Sequence, residues 1–131
     1  LRGLIVASPA YLQRRPAPQH PHDLLMHECI RFRFASGHIY KWQFERDGQA
    51  LEMDVPGRLT LGEQSTIIRA VLDGLGLAYV LEDAARPHLQ AGTLVSVLEA
   101  WSEPFAGFVL YYPRQRQMAS ALRAFVDHLR G

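Results

Sequence analysis

The sequence predicts an α/β layer structure, because the spacing of its apolar residues switches between that of strands and that of helices. Tyr40, Trp42 and Phe44 alternate with polar residues and predict a strand. From Ile67 the apolar residues recur every three or four positions, which predicts a helix. A length of 131 residues fits one domain with its own core.

In the first half of the chain, short strands surround one short helix. Leu4 to Ala7 form an apolar strand, and Ser8-Pro9 then supplies a helix N-cap and a first helical residue. This predicts a helix from Ser8 to about Arg14. A strand from Cys29 to Phe34 follows a proline-rich loop. Asp47-Gly48 predicts a hairpin turn, since both residues tolerate a positive φ.

The second half predicts a helix between two strands. A strand from Arg58 to Leu61 leads into a helix that begins at Glu63 and runs to Asp73. Gly74 follows as a natural C′ glycine. The remaining predicted elements are strands at 77–81, 94–98 and 108–112, a short helix at 87–91 started by its proline, and a last helix at about 119–129.

The composition excludes several classes of protein. With 48% hydrophobic residues and a net charge of +1, the chain is too apolar and too balanced to be disordered. No apolar run approaches the ~18 residues of a membrane span. The 14 basic residues are offset by 13 acidic ones, which argues against a free-standing nucleic-acid binder. Cys29, the single cysteine, fits a reducing compartment.

Two features are compatible with catalysis or metal binding, and both have a plainer interpretation. His20, His22, His27 and Cys29 lie within ten residues, but their spacing matches no established zinc pattern. Ser8 lies between a strand and a helix, yet it lacks flanking glycines and precedes a proline without an amide. We therefore expect no enzyme, metal or cofactor. A hydrolase or transferase using Ser8 or the His-rich loop is the remaining enzymatic alternative.

The start of the helix after residues 58–61 is the candidate binding site with a physical argument. Ligands of α/β sheets collect at the carboxyl ends of strands, and free amides at a helix start attract anions. The amides of Glu63, Gln64, Ser65 and Thr66 are thus a candidate carboxylate-binding group. The charge of Glu63 would oppose an anion. An ordinary helix start capped by its own side chains is the alternative.

Several segments resemble the LysR-type transcriptional regulators. Residues 6–12 read VASPAYL, a segment common in that family. Residues 21–30 are similar to its P-x-D-L-x-x-H-x-C-I pattern, and residues 73–78 to its x-G-L-G-I-A pattern. The hairpin at 40–48 and the segments 92–98 and 112–125 also fit. The resemblance covers nearly the whole chain, in the right order.

The resemblance implies a type II periplasmic-binding-protein-like fold, with a mixed sheet flanked by helices. One full lobe and the returning part of the other are expected, so residues 1–131 are a partial effector-binding domain. Residues 8–98 would form the second lobe, 1–7 and 106–113 the hinge strands, and 114–131 the C-terminal helix, packed on the first lobe. The winged helix-turn-helix and the opening half of the first lobe would lie outside these residues.

The function implied by the resemblance is sensing of a small-molecule effector, such as a carboxylate or an aromatic, between two lobes. DNA would be bound only through the missing N-terminal domain. A cytoplasmic homodimer or homotetramer without membrane contact is expected. A stand-alone small-molecule-binding protein of the same fold is the alternative. Gly62 departs from the family, in which many members have Asn. The expected effector-binding residues are Ser8, Phe34, Ser36, Gly62, Glu63, Gln64, Ser65 and Thr66.

Overall fold

The fold is taken from a computed structural model, which describes residues 2–102 and 125–129. Its elements follow the predicted alternation of strands and helices. In chain order they are β1 (Gly3–Ala7), α1 (Pro9–Arg14), a 3-10 helix (Pro21–Met26), β2 (Cys29–Phe32), β3 (Trp42–Arg46), β4 (Gln49–Met53), β5 (Leu59–Leu61), α2 (Gln64–Leu72), β6 (Leu77–Leu81), α3 (Glu82–Ala91), β7 (Val95–Val97) and a second 3-10 helix (Glu99–Trp101). Residues 125–129 form a further helical segment.

A five-stranded mixed sheet in the order β5-β2-β6-β1-β7 organises the domain. Strand β2 runs parallel to both β5 and β6. Strand β1 runs antiparallel to β6 and β7, so that Gly3 pairs with Leu81 and Val6 pairs with Ala78. The amino end of β1 therefore lies beside the carboxyl end of β6.

The core is centred on β1 and β6, in which every residue is buried. Strands covered on both faces need continuous apolar side chains, which explains the uninterrupted runs in the sequence. The β3–β4 hairpin adds Trp42 and Phe44, both almost fully buried. Its turn has positive φ at Asp47 and Gly48, which confirms the predicted turn residues.

The helical segment 125–129 packs on aromatic residues of the sheet and of the loop after β2. Phe125 stacks on Tyr40 with 4.3 Å between ring centroids and meets Phe32 at 5.1 Å and Tyr79 at 5.8 Å. The packing on the first lobe that the resemblance implies stays a prediction. In the described residues, the contacts of Phe125 are with residues assigned to the second lobe.

Helix α3 differs most from the sequence prediction. It begins at Glu82, not at Pro87, which lies inside it. Two acidic residues, Glu82 and Asp83, occupy the first turn, where they interact favourably with the helix dipole. Ala85 is fully buried, so packing offsets the loss of the proline's amide hydrogen bond. The helix ends at Gly92 as predicted, in the left-handed conformation.

Smaller differences concern element ends. The strand predicted over Cys29 to Phe34 stops at Phe32, because residues 34–38 turn back on themselves. Helix α2 runs from Gln64 to Leu72, one residue shorter at each end than predicted, and Leu75 beyond it is 53% exposed. The predicted strand at 108–112 lies outside the described residues, as do the first residues of the predicted last helix.

Candidate functional site

The carboxyl ends of β2, β5 and β6 meet at one edge of the sheet, called here the carboxyl edge and marked by Phe32, Leu61 and Leu81. These three strands are parallel, so the loops that follow them leave the sheet on the same side. The opposite side, where β2, β5 and β6 begin, is called the amino edge. The two edges separate the predicted site residues into two groups.

Residues 62–66 lie at the carboxyl edge, where β5 leads into α2. Glu63 is the N-cap in extended conformation, and its side chain makes no capping hydrogen bond. The side chains of Ser65 and Thr66 are exposed. Because the first amides of a helix have no partner within it, this segment presents donors beside two hydroxyl groups. Gly62 is exposed and would accommodate a Cβ, whose nearest contact is the Arg33 carbonyl oxygen at 3.5 Å.

Gln64 is fixed by a contact that its sequence position does not reveal. Its side-chain oxygen accepts a hydrogen bond from the backbone amide of Leu81, at 2.8 Å. The bond ties the start of α2 to the end of β6. The oxygen keeps one lone pair and the NH₂ group has no hydrogen bond to the described residues, so the side chain can still donate to a ligand.

Phe34 and Ser36 reach the same edge in a tight turn after β2. The Phe34 amide donates to the His38 carbonyl oxygen and the Gly37 amide donates to that of Phe34, both at 2.8 Å. Ser36 Oγ accepts from the His38 amide at 3.4 Å. The half-buried ring of Phe34 stacks with His38, with 6.0 Å between centroids. The turn therefore holds an aromatic face and a hydroxyl beside the strand ends.

Ser8 does not lie with the other seven residues, and its expected place at the shared edge is corrected here. It follows β1, which runs antiparallel to β6, so it lies at the amino edge. It is 4% exposed, and its Oγ accepts from the Tyr11 amide at 3.2 Å as the N-cap of α1. The expected position would require β1 to run parallel to β6, and it runs antiparallel.

Two arginines at the carboxyl edge are missing from the sequence-predicted site. Arg33 directly follows β2, is exposed, and donates its amide to the Leu61 carbonyl oxygen at 2.9 Å. Arg2 precedes β1, and its guanidinium contacts Glu82 Oε2 at 3.3 Å and the Ser102 carbonyl oxygen at 3.1 Å. Arg33 lies near the end of a predicted strand, and this is the sequence signal that identifies it. Arg2 reaches this edge because β1 pairs with β6, and its partner Glu82 is 80 residues away in the sequence.

The His-rich segment is occupied by structural contacts. His27 Nδ1 lies 2.8 Å from the Tyr11 hydroxyl, and burial, reinforced by Arg15, lowers the pKa of His27. His20 caps the 3-10 helix at 21–26. Burial raises the pKa of the Cys29 thiol to about 12, so this group stays protonated at neutral pH. Among residues 2–102 and 125–129, no group of three or more His, Cys, Asp or Glu is placed to hold a metal.

Within the part of the chain that the structure describes, no helix is both long and apolar enough to cross a membrane.

A sequence model of the LysR substrate binding domain matches residues 2–131. The chain belongs to this family. The predicted fold class, a mixed α/β sheet flanked by helices in the periplasmic-binding-protein-like manner, is thereby confirmed. The division into lobes and hinge strands stays a prediction.

Relatives of this LysR-family chain are transcriptional regulators. It is 40% identical over 126 residues to an uncharacterized HTH-type transcriptional regulator of Escherichia coli, YcaN, with 96% of this chain and 41% of YcaN covered. It is 40% identical over 131 residues to a putative transcriptional regulator of Pseudomonas aeruginosa, with 99% and 43% covered. The chain thus spans less than half the length of these two relatives.

A solved structure agrees with the fold. The full-length structure of AphB, a virulence activator of Vibrio cholerae and a member of the LysR-type family, superimposes with a TM-score of 0.69 at 29% sequence identity. The superposition covers 79% of this chain and 35% of AphB.

Proposed function

We propose that this LysR-family domain senses a small-molecule effector at the carboxyl edge, and that binding changes how the intact regulator holds DNA. The observation that carries the proposal is the meeting of three parallel strand ends with the amino end of α2 at that edge. Ligands of open α/β sheets bind outside such strand ends. Phe34, Ser36 and residues 62–66 are the proposed contacts.

The groups at this edge favour an effector with a carboxylate or an aromatic ring. The amides at the start of α2 suit an anion. Arg33 is exposed and its backbone lies beside Gly62, so it adds a positively charged residue close to the segment that carries Glu63. The ring of Phe34 offers an apolar face. The carboxylate of Glu63 repels an anion. It therefore favours ligands that place a hydrogen-bond donor beside it.

The proposed mechanism is a shift between two arrangements of lobes. Residues 8–98 would act as the second lobe and residues 1–7 and 106–113 as hinge strands, with the effector bound between this lobe and the first. A ligand that binds one arrangement more tightly increases the population of that arrangement, and this alters how dimers or tetramers contact DNA. DNA contact is assigned to an N-terminal winged helix-turn-helix, and the site of action to the cytoplasm, where the chromosome lies.

We assign no catalytic role to the residues that first suggest one. The Ser8 hydroxyl is almost completely buried and engaged as a cap, and the pKa of Cys29 is unsuited to a nucleophile. His27 is paired with Tyr11. These contacts support a sensor more than a hydrolase.

The experiment uses the full-length regulator. Small carboxylates and aromatic acids are screened for an increase in melting temperature, since a ligand that binds only the folded state stabilises it by mass action. The ligand found is then added to a mobility-shift titration with the DNA upstream of the regulator's gene. We expect a changed DNA affinity or footprint. A stabilising ligand that leaves both unchanged would contradict the proposal and favour a stand-alone binding protein.

A further inference from the structure

A cleft of about 530 Å³ opens at the amino edge of the sheet, on the side away from residues 62–66. We propose that this cleft is a second ligand site, which takes a small organic anion with an apolar body. Its volume lies within the range of small-molecule sites, roughly 300–1,000 Å³. The lining residues that matter for the proposal are Tyr11, Arg14, Arg15, Glu28, Arg58 and Leu75.

The positive charge of the cleft is largely uncompensated. Arg14 Nη2 donates to the Gly74 carbonyl oxygen at 2.6 Å, and Arg15 Nη1 donates to the carbonyl oxygen of Met26. These carbonyl partners orient the guanidinium groups without neutralising them. Across residues 2–102 and 125–129, no carboxylate lies within 4 Å of Arg14 or Arg15. Two fixed cations therefore face a space that an anion can enter.

A third cation and one carboxylate complete the charged rim. Arg58 has an 89% exposed side chain, and its Nη2 lies 3.6 Å from Glu28 Oε1. An exposed pair of this kind is weak, so the guanidinium remains available to a ligand. Three arginines against one glutamate give the lining an excess of two positive charges. The excess selects an anion, while Glu28 opposes it.

The floor of the cleft is apolar. Ile30 and Cys29 lie at the start of β2 and are buried. Leu75, just beyond the end of α2, has 53% of its surface exposed and so adds apolar surface to the cleft wall. An apolar body seated here would remove Leu75 from water while its anionic group met the arginines. Inorganic phosphate would gain only the second of these interactions.

The wall that carries the arginines is held in place. The Tyr11 hydroxyl accepts from the Glu28 amide at 3.2 Å and lies 2.8 Å from His27 Nδ1. The C-terminal carbonyl groups of α2 would repel an anion. Arg14 offsets this repulsion through its bond to the Gly74 oxygen. The cleft thus combines fixed donors, a rigid wall and an exposed apolar surface.

The test is a titration of the ¹⁵N-labelled full-length regulator with benzoate and with benzamide, its uncharged analogue of the same shape. We expect benzoate to shift the NMR signals of the backbone amides of Tyr11, Glu28 and Gly74 in a saturable way. Signals of residues around Glu63 should either stay unchanged or follow a different Kd. Benzamide should bind at these amides about tenfold more weakly, because it lacks the charge that the arginines recognise.

Charge variants give the decisive comparison. Arg58→Gln should raise the Kd of benzoate at the cleft about threefold, and Glu28→Gln should lower it about threefold, as expected for partly exposed charges. Arg86→Gln, on the exposed face of α3, should leave the Kd unchanged. Absence of shifts at the cleft, equal binding of benzamide, or equal affinity in both charge variants would overturn the proposal. Because the signals are assigned to single residues, a negative result at the cleft does not bear on the proposed effector site at the carboxyl edge.

Discussion

The side-chain oxygen of Gln64 accepts the backbone amide of Leu81 at 2.8 Å. This bond joins the first residue of α2 to the last residue of β6, two elements that meet at the carboxyl edge. It fixes the amino end of the helix relative to the strand ends. The proposed effector site depends on that relation, because its amide donors and its strand-end side chains come from different elements.

Replacement of Gln64 should therefore cost stability. Gln64→Ala leaves the Leu81 amide without its partner, and we expect the free energy of unfolding to fall by about 1–2 kcal/mol. Urea denaturation measures the change. Ser65→Ala, at an exposed neighbouring position, is the control and should change stability by less than about 0.5 kcal/mol. Equal stability of the two variants would show that the Leu81 amide finds another partner.

The left-handed residue after α2 provides a second prediction. Gly74 has φ of +80°, and a Cβ there would meet only Ser8 Oγ, at 3.7 Å. The cost of Gly74→Val is thus one of backbone strain, about 1–3 kcal/mol. Thermal unfolding should show a lower melting temperature. Gly74→Asn should lose less, since Asn tolerates this conformation. A wild-type melting temperature for the valine variant would be inconsistent with the left-handed conformation.

Ser8 should matter for stability and not for effector binding. Ser8→Ala removes the acceptor of the Tyr11 amide and should cost about 1 kcal/mol, the usual value for loss of an N-cap. Ser8→Thr keeps the hydroxyl and should retain part of that stability. Because Ser8 lies at the amino edge, neither change should alter the affinity for a ligand at the carboxyl edge. A large loss of affinity without loss of stability would return Ser8 to the site.

His27 should make stability depend on pH. Its pKa is lowered in the folded state by burial and by Arg15, so the unfolded chain binds the proton more readily. The contribution is complete above the ordinary histidine pKa of about 6.5 and declines as the pH falls from there towards the folded-state value. Urea denaturation from pH 8 to pH 5 should show this decline. It should be smaller in His27→Asn and unchanged in His22→Asn.

Local patterns predict most elements of this domain, and they fail where distant parts of the chain decide the outcome. The turn at Asp47-Gly48 and the left-handed Gly74 after α2 depend on backbone preferences of single residues, so both are readable from sequence. The start of α3 is not, because a proline normally begins a helix, whereas here Pro87 lies inside one that begins at Glu82 and buries Ala85. Packing overrides local preference here.

The candidate site shows the same division. Residues 62–66 follow a strand and begin a helix, so their position at the carboxyl edge follows from local order plus the parallel pairing of β5 with β2. Ser8 also follows a strand, but the direction of β1 is set by its pairing with β6, about 75 residues away. Strand direction leaves no local signature. The sequence therefore could not separate Ser8 from the other seven residues.

If an effector binds at the carboxyl edge, its Kd should change in variants of that edge and stay constant in variants of the amino edge. With a ligand obtained from the thermal screen, calorimetric titration of the full-length regulator should give a Kd changed by about fivefold or more in Glu63→Gln or Gln64→Glu, equivalent to ~1 kcal/mol. Ser8→Ala should bind as the wild type does. Unchanged affinity in both carboxyl-edge variants would show that the effector binds elsewhere.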